Sequence, residues 1–276
     1  MRKRTRKHRG TAGKMVGGFL AFFCLILLTA GMFWAIQGYV SYQKAVKEKP
    51  LAQAVEEIRS EAQWASLEQV PDLYRKAVLA VEDHRYYTHH GIDWISMARA
   101  VVHDIRVMKP EQGGSTITQQ LVKNMYYDQN KTLARKAAEA WTALYVERQL
   151  SKEEILEKYM NIIYMGEGCY GVQSAARVYF GKKVSDLTTA ECASLIAITN
   201  NPSLYDPYIR EENNRERQLT ILKEMYAQGY IETEEAYQAA VDQEMVFRNG
   251  TYDEEEYTCA SCGFTGTRAE YTETDG

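Results

Sequence analysis

Cysteine, proline and β-type alternation are all scarce in this 276-residue chain, and each scarcity removes a class of protein. The five cysteines do not form a disulfide framework. Cys24 lies in an apolar run, Cys169 and Cys192 stand singly in helix-like sequence, and only Cys259 and Cys262, in CASC, form a motif-like pair. One CxxC without a second cysteine or histidine pair is half a zinc site at most, so a local disulfide or two idle thiols is the simpler reading. The five prolines are sparse, with Pro202 and Pro207 bracketing a loop. No stretch alternates apolar and polar residues, and no Asn-Gly or Asp-Gly turn joins two β-rich runs, so a mainly α fold is expected. Walker A spacing and an HExxH helix are both missing, which argues against P-loop nucleotide chemistry and a zincin site. No continuous basic stripe follows the first 14 residues, so no nucleic acid is expected as a partner.

Charge is missing altogether from residues 15 to 43. Within that run, MVGGFLAFFCLILLTAGMFWAI would make a helix of about 33 Å, enough to cross a bilayer core. A cleaved signal peptide would have a shorter apolar region, about 7 to 15 residues, so a retained transmembrane helix over 15–38 is expected. The preceding residues 1–14 hold seven Lys or Arg and no acid, against Lys44, Lys47 and Lys49 on the far side. The positive-inside rule then places the N-terminus in the cytoplasm and the rest outside the cell membrane. Residues 39–69 are expected to form a stalk, 70–248 a catalytic domain, and 249–276 an acidic, disordered tail, in which seven acids face Arg268 alone between 250 and 276.

What is present is helix grammar. VPDLYRKAVLAVEDHRYY places Leu73, Ala77, Ala80 and Val81 on one face of a helix that ends near Glu82. SKEEILEKYMNIIY and TTAECASLIAIT open with capping boxes, Ser151 with Glu154 and Thr188 with Glu191. NNRERQLTILKEMYAQGYI is a further helix stopped by Gly229.

Three clusters carry more polar chemistry than packing requires. EDHRYYTHHG contains Glu82, Asp83 and three histidines; the histidines lack an acidic ligand set, so a structural or hydrogen-bonding role fits them better than zinc. GGSTITQQLVKN brings Gly113, Gly114, Ser115, Thr116 and Thr118 before a helix, a loop able to bind an anion or sugar hydroxyls. Standing alone, it would read as a glycine turn and a hydroxyl cap. Lys123, Lys131, Arg135 and Lys136 follow within fourteen residues, which suits a diphosphate, although a solvated helix face is the usual fate of such charges. Glu139 follows Arg135 by four, the weaker order for helix pairing, and its alanine neighbours look too small to shield it. Near several cations it is expected to stay ionised, while Glu82 at the end of an apolar helix is expected to have a raised pKa. Two carboxylates in unlike environments are what acid-base chemistry at a sugar requires.

In order and spacing, EDHRYYTHHGID, QGGSTITQQLVKN, RKAAEA, SKEEILEKYMNIIYMGEGCYGVQSAARVYFGK and LTTAECASLIAITNNPSLYDP resemble the motifs of the peptidoglycan glycosyltransferases, glycosyltransferase family 51, across about Val70 to Tyr230. The resemblance implies a lysozyme-like, two-lobed helical domain that polymerises lipid II into glycan strands with inversion and releases undecaprenyl diphosphate. It makes Glu82 the general base and assigns Glu139 to the donor diphosphate, directly or through a divalent cation, magnesium or manganese. It places Asp83, Arg99, Ser115, Thr116, Gln119, Lys123, Lys131, Arg135 and Lys136 in the substrate cleft, with no dedicated metal site. Other cell-wall synthesis proteins are implied as partners.

Two positions depart from the family pattern: Tyr86 stands where phenylalanine is usual, and Ala138 where many members carry a basic residue. The Lys-Thr-Gly stretch of a transpeptidase domain is absent, so a monofunctional protein is expected. The competing expectations are a lysozyme-like lytic enzyme and a catalytically silent membrane-tethered scaffold.

Overall fold

Several helix starts in this chain carry a side chain that accepts from an otherwise free backbone N–H group, as at Thr116, Thr132, Ser151 and Thr188. The computed structural model describes residues 9–61, 63–107, 113–128 and 132–248, with the backbone of 257–258 and 265–266. Lys131, the Cys259–Cys262 pair, most of the acidic tail and residues 1–8 of the basic leader lie outside the described residues.

The first helix, α1 (Arg9–Glu48), contains an apolar stretch long enough to cross a membrane, and the most apolar part of it is not buried against the protein. A helix apolar on all sides must be covered by something, either protein or lipid. α2 (Leu51–Glu61) follows and sends Leu51 and Ala54 into the core. The residues beyond it are tied down too: the Asn161 amide bridges the backbone of Ala65, with bonds of 2.8 and 2.9 Å, and Glu157 accepts from Leu67 N at 2.8 Å. Thus the second half of the expected stalk packs on the domain.

The domain continues with α3 (Asp72–Glu82), α4 (Trp94–Val107), α5 (Ile117–Tyr126), α6 (Leu133–Val146), α7 (Lys152–Ile162), α8 (Val172–Phe180), α9 (Thr189–Asn200), α10 (Pro202–Tyr205), α11 (Pro207–Ala227) and α12 (Glu234–Asp242). The only strands among the described residues are Tyr257–Thr258 and Thr265–Gly266, paired antiparallel. The fold is mainly α, as expected.

Both expected capping boxes form, at Ser151/Glu154 and Thr188/Glu191, and a third forms at Thr116/Gln119. Each cap is worth about 1 kcal/mol. Gly229 takes φ +74 just beyond α11, the left-handed stop expected there. α3 is rotated slightly from its expected face: Tyr74, Ala77, Val78, Leu79 and Ala80 are buried, whereas Leu73 and Val81 are only half-buried. The large Tyr74 ring, wholly buried, takes the central place that counting aliphatic residues assigns to Leu73.

α9 is apolar all round and buried from Ala190 to Ile198. It packs against α3 and α11, while α5 packs against α6 and α7. These two groups of helices stand on either side of a cleft, an arrangement consistent with the two-lobed lysozyme-like architecture.

Candidate active site

A cleft of about 770 Å³ runs between the helix groups, lined from one side by the end of α3, α9 and α11 and from the other by α4, α5, the 113–116 loop and the start of α6. Glu82 stands at the last residue of α3, and Asp83 caps that helix. The buried Asp83 carboxylate meets His89 Nε2 at 3.0 and 2.9 Å and accepts from Ile117 N at 3.1 Å. It therefore pins the end of α3 to the start of α5, where a helix dipole favours a negative charge. Thr116 Oγ1 donates to Gly91 O at 2.7 Å, which ties the start of α5 to the loop before α4. Gly91 has φ +80, and a Cβ there would lie 2.9 Å from the Ala143 carbonyl, so only glycine fits.

Glu82 keeps part of its surface open to the cleft but is surrounded by protein elsewhere. Burial pushes its pKa up; hydrogen bonding from Gln120, the Arg217 charge and the Thr199 hydroxyl oppose the shift, and Asp83 adds to it. Gln120 Nε2 donates to Glu82 Oε2 at 2.7 Å, and the buried Tyr159 hydroxyl donates to Gln120 Oε1 at 3.3 Å. Thr199 Oγ1 stands 3.4 Å from Glu82 Oε1 but only 2.8 Å from Ile196 O. The hydroxyl donates mainly to the nearer carbonyl, so its bond to the Glu82 carboxylate is the weaker of the two that favour ionisation. With burial favouring the protonated form, the surroundings can hold Glu82 in either state, as proton transfer requires.

At the opposite wall, Glu139 is 1% exposed. Lys136 Nζ donates to its Oε2 at 3.0 Å, and Arg135 Nη1 lies 3.2 Å from Oε1 without hydrogen-bond geometry. One sequence expectation needs correction here. The small alanine neighbours do not leave Glu139 exposed: its carboxylate is buried, and Arg135 approaches it despite the less favoured order. Lys136 also donates to Ser115 Oγ at 2.5 Å, bringing the hydroxyl loop to the cation cluster.

Arg99, Lys123, Arg135 and Lys136 all line the cleft, as do Ser115, Thr116 and Gln119. Thr116 and Gln119 are occupied by their capping box: Thr116 Oγ1 accepts from Gln119 N at 3.1 Å, and Gln119 Oε1 accepts from Thr116 N at 3.0 Å. Arg99 donates to Ser96 Oγ at 3.0 Å. Ser96 is in turn held by Asp93, which caps α4 through Ile95 N and Ser96 N; burial opposes ionisation there, but the Ser96 bonds and Arg85 bring Asp93 down to about 2. Of the three histidines in the first cluster, only His89 is buried and bonded to a site residue; His84 is exposed at the cleft and His90 is exposed.

Gln120, Thr199 and Arg217 are the site residues that sequence inspection overlooks. Gln120 adjoins a singled-out residue, but Thr199 and Arg217 lie more than a hundred residues from Glu82, and no local pattern marks them. As for a metal, no group of three or more His, Cys, Asp or Glu among the described residues could hold one. Glu139 is a lone carboxylate with cations at both oxygens, whereas a hard divalent ion takes about six oxygen ligands. The donor set does not fit a resident metal.

The transglycosylase family model matches residues 47–226. The chain belongs to the transglycosylase family. Penicillin-binding protein 1F of Bacillus subtilis is 41% identical over 235 residues, covering 79% of this chain and 33% of that protein. Penicillin-binding protein 2D of the same organism is 43% identical over 173 residues, 63% of this chain and 25% of that protein. A protein of Cupriavidus necator that bears a transglycosylase name is 38% identical over 209 residues, 76% of this chain and 90% of that protein. The chain thus spans a third or less of the two Bacillus relatives and most of the Cupriavidus one. The transglycosylase match begins at residue 47, in the last turn of α1, and so takes in all of α2.

Proposed function

We propose that this chain is a membrane-anchored peptidoglycan glycosyltransferase that polymerises lipid II into glycan strands. One observation carries the reading: a single cleft holds a carboxylate with a raised pKa on one wall and a carboxylate fixed among cations on the other. Membership of the family and the penicillin-binding names of its relatives support the same substrate class.

In this reading Glu82 takes the proton from the acceptor's sugar 4-hydroxyl as the oxygen forms a bond to the donor's anomeric carbon. The bond from that carbon to the diphosphate breaks on the opposite face, giving inversion, and its electrons leave with undecaprenyl diphosphate. Arg135 and Lys136 face the leaving group, where fixed positive charge counts most because negative charge develops there in the transition state. Glu139 holds those two cations in place. The growing strand and other cell-wall synthesis proteins are the partners of such an enzyme. With α1 in the cell membrane and the N-terminus in the cytoplasm, the cleft lies outside the cell.

The test is incubation of the purified full chain with lipid II and separation of products by length. Glycan polymer is expected from the native protein and essentially none from Glu82→Gln. Polymer of native yield from that variant would remove Glu82 as base, and shortening of preformed glycan without polymer would favour a lytic enzyme.

A further inference from the structure

α6 has two working faces. Arg135, Lys136 and Glu139 line the cleft, while Ala137, Ala138, Trp141 and Tyr145 lie against α1. The partners on α1 are Ala35, Gly38, Tyr39 and Tyr42, at the i, i+3, i+4, i+7 spacing of one helix face. Trp141 Nε1 donates to Ala35 O at 3.0 Å, and the Tyr39 and Trp141 rings meet edge-on with centroids 5.4 Å apart. Tyr42 and Tyr145 pair in the next turn, with centroids at 5.7 Å.

Gly38 sits at the middle of this contact and is buried. A Cβ there would stand 2.5 Å from Ala137 Cβ, 2.6 Å from Ala137 C and 2.8 Å from Ala138 N. Two of these atoms are backbone, so no rotamer change relieves the contact; α1 would have to move away from α6. Gly31, two turns earlier on the same helix, has open space where a Cβ would stand, with nothing within 4 Å. Close approach is therefore confined to the point where α1 passes beneath the cation cluster.

Its height is also informative. Gly38 precedes Lys44, the first charge after the apolar run, by six residues, or about 9 Å along a helix. Trp34, Tyr39, Tyr42, Trp141 and Tyr145 surround this level, the amphipathic rings that gather at a membrane–water boundary. Lipid-linked diphosphates carry their charge at that same boundary.

We infer that the seat of α1 on α6 at Gly38 sets the position of Arg135, Lys136 and Glu139, so that the membrane helix is a positioning element of the site for a lipid-linked diphosphate and not only a tether. The inference rests on the proposed function in taking a diphosphate to be what those cations bind. Gly38 is a positioning residue: it touches no substrate, and it acts through the backbone of α6.

The experiment uses the full chain in lipid nanodiscs and measures binding of a polyprenyl diphosphate to the native protein, Gly38→Ala, Gly38→Leu, Gly31→Leu and Lys136→Ala. Gly38→Leu is expected to weaken binding about tenfold, as overpacking of a close contact would. Gly38→Ala is expected to weaken it by a smaller factor and keeps the test open should the leucine variant not fold. Gly31→Leu is expected to bind as the native chain does. In turnover, the Gly38 variants should raise KM for the lipid substrate while leaving the acid limb of the pH profile where it is, because Glu82 stands on the other wall. Native affinity in both Gly38 variants, with Lys136→Ala weakened, overturns the positioning role. Native affinity in Lys136→Ala overturns the diphosphate reading instead.

Discussion

Gln120 Nε2 reaches Glu82 Oε2 at 2.7 Å across the junction of α5 and α3, and it is the shortest hydrogen bond to that carboxylate. The bond fixes the orientation of Glu82 and favours its ionised form, against burial that favours the protonated one. Because Tyr159 donates to the other end of the same amide, the amide is held with its NH₂ toward Glu82. A general base needs this kind of balance, a pKa high enough for the carboxylate to be basic and an orientation fixed well enough for it to be aimed.

The acid limb of the pH profile should report that balance. Glu82 must be ionised to accept a proton, and its pKa is raised above the usual glutamate value of 4.5, so activity should fall on acidification earlier than an ordinary glutamate would allow. Gln120→Leu removes the bond that favours the carboxylate and should move the limb to higher pH, with a lower maximal rate. Arg217→Met should move it in the same direction, since the Arg217 charge also favours ionisation. Rate against pH for the three proteins gives the answer; a limb that stays at the native pH in both variants refutes this electrostatic account.

Stability should respond oppositely to activity at the same residue. A carboxyl whose folded pKa is raised binds protons more readily folded than unfolded, so its ionisation weakens the fold as pH rises through the ordinary value toward the raised one. Glu82→Gln abolishes that cost, and its amide can still accept from Gln120 and donate to Thr199 Oγ1. The variant should therefore melt higher than the native chain near neutral pH. At pH 4, where native Glu82 is protonated, the difference should vanish. Thermal denaturation at both pH values decides it, and a lower Tm for the variant at neutral pH contradicts the burial argument.

The contrast between what is and is not legible in the sequence follows from the range of the forces. The starts of α7 and α9 are readable because a capping box is local, a hydroxyl and a carboxylate three residues apart. Asp83 and Glu139 are readable as chemistry but not as geometry. The alanine run reveals neither that α1 covers Ala137 and Ala138 nor that Glu139, on the cleft side of the same helix, is buried. Thr199 and Arg217 escape for the same reason: α9 and α11 bring them to Glu82 through packing of a buried helix that is apolar all round, and nothing in their own neighbourhoods encodes the destination. Thr116 and Gln119 illustrate the converse. A hydroxyl and an amide three residues apart look like ligand groups, yet the helix start uses their oxygens first.

The donor wall yields the last prediction. Lys136 contacts both Glu139 and Ser115, and Arg135 contacts both Glu139 and Asp128 O, so each cation is already oriented before any substrate arrives. Preorganised charge is worth more than charge that must be gathered, because no reorganisation is needed as the leaving group becomes negative. Glu139→Gln keeps the shape but removes the charge that holds both cations. It should lower the polymerisation rate by about 10²-fold or more, the scale of losing a transition-state contact. Chelation of divalent ions should cost far less than this substitution, since Glu139 with cations on both oxygens offers a metal one carboxylate at most. Polymerisation rates for native protein with and without chelator, beside Glu139→Gln, separate the cases. A chelator effect as large as the Glu139→Gln effect would mean that a metal, rather than Arg135 and Lys136, carries the leaving-group charge.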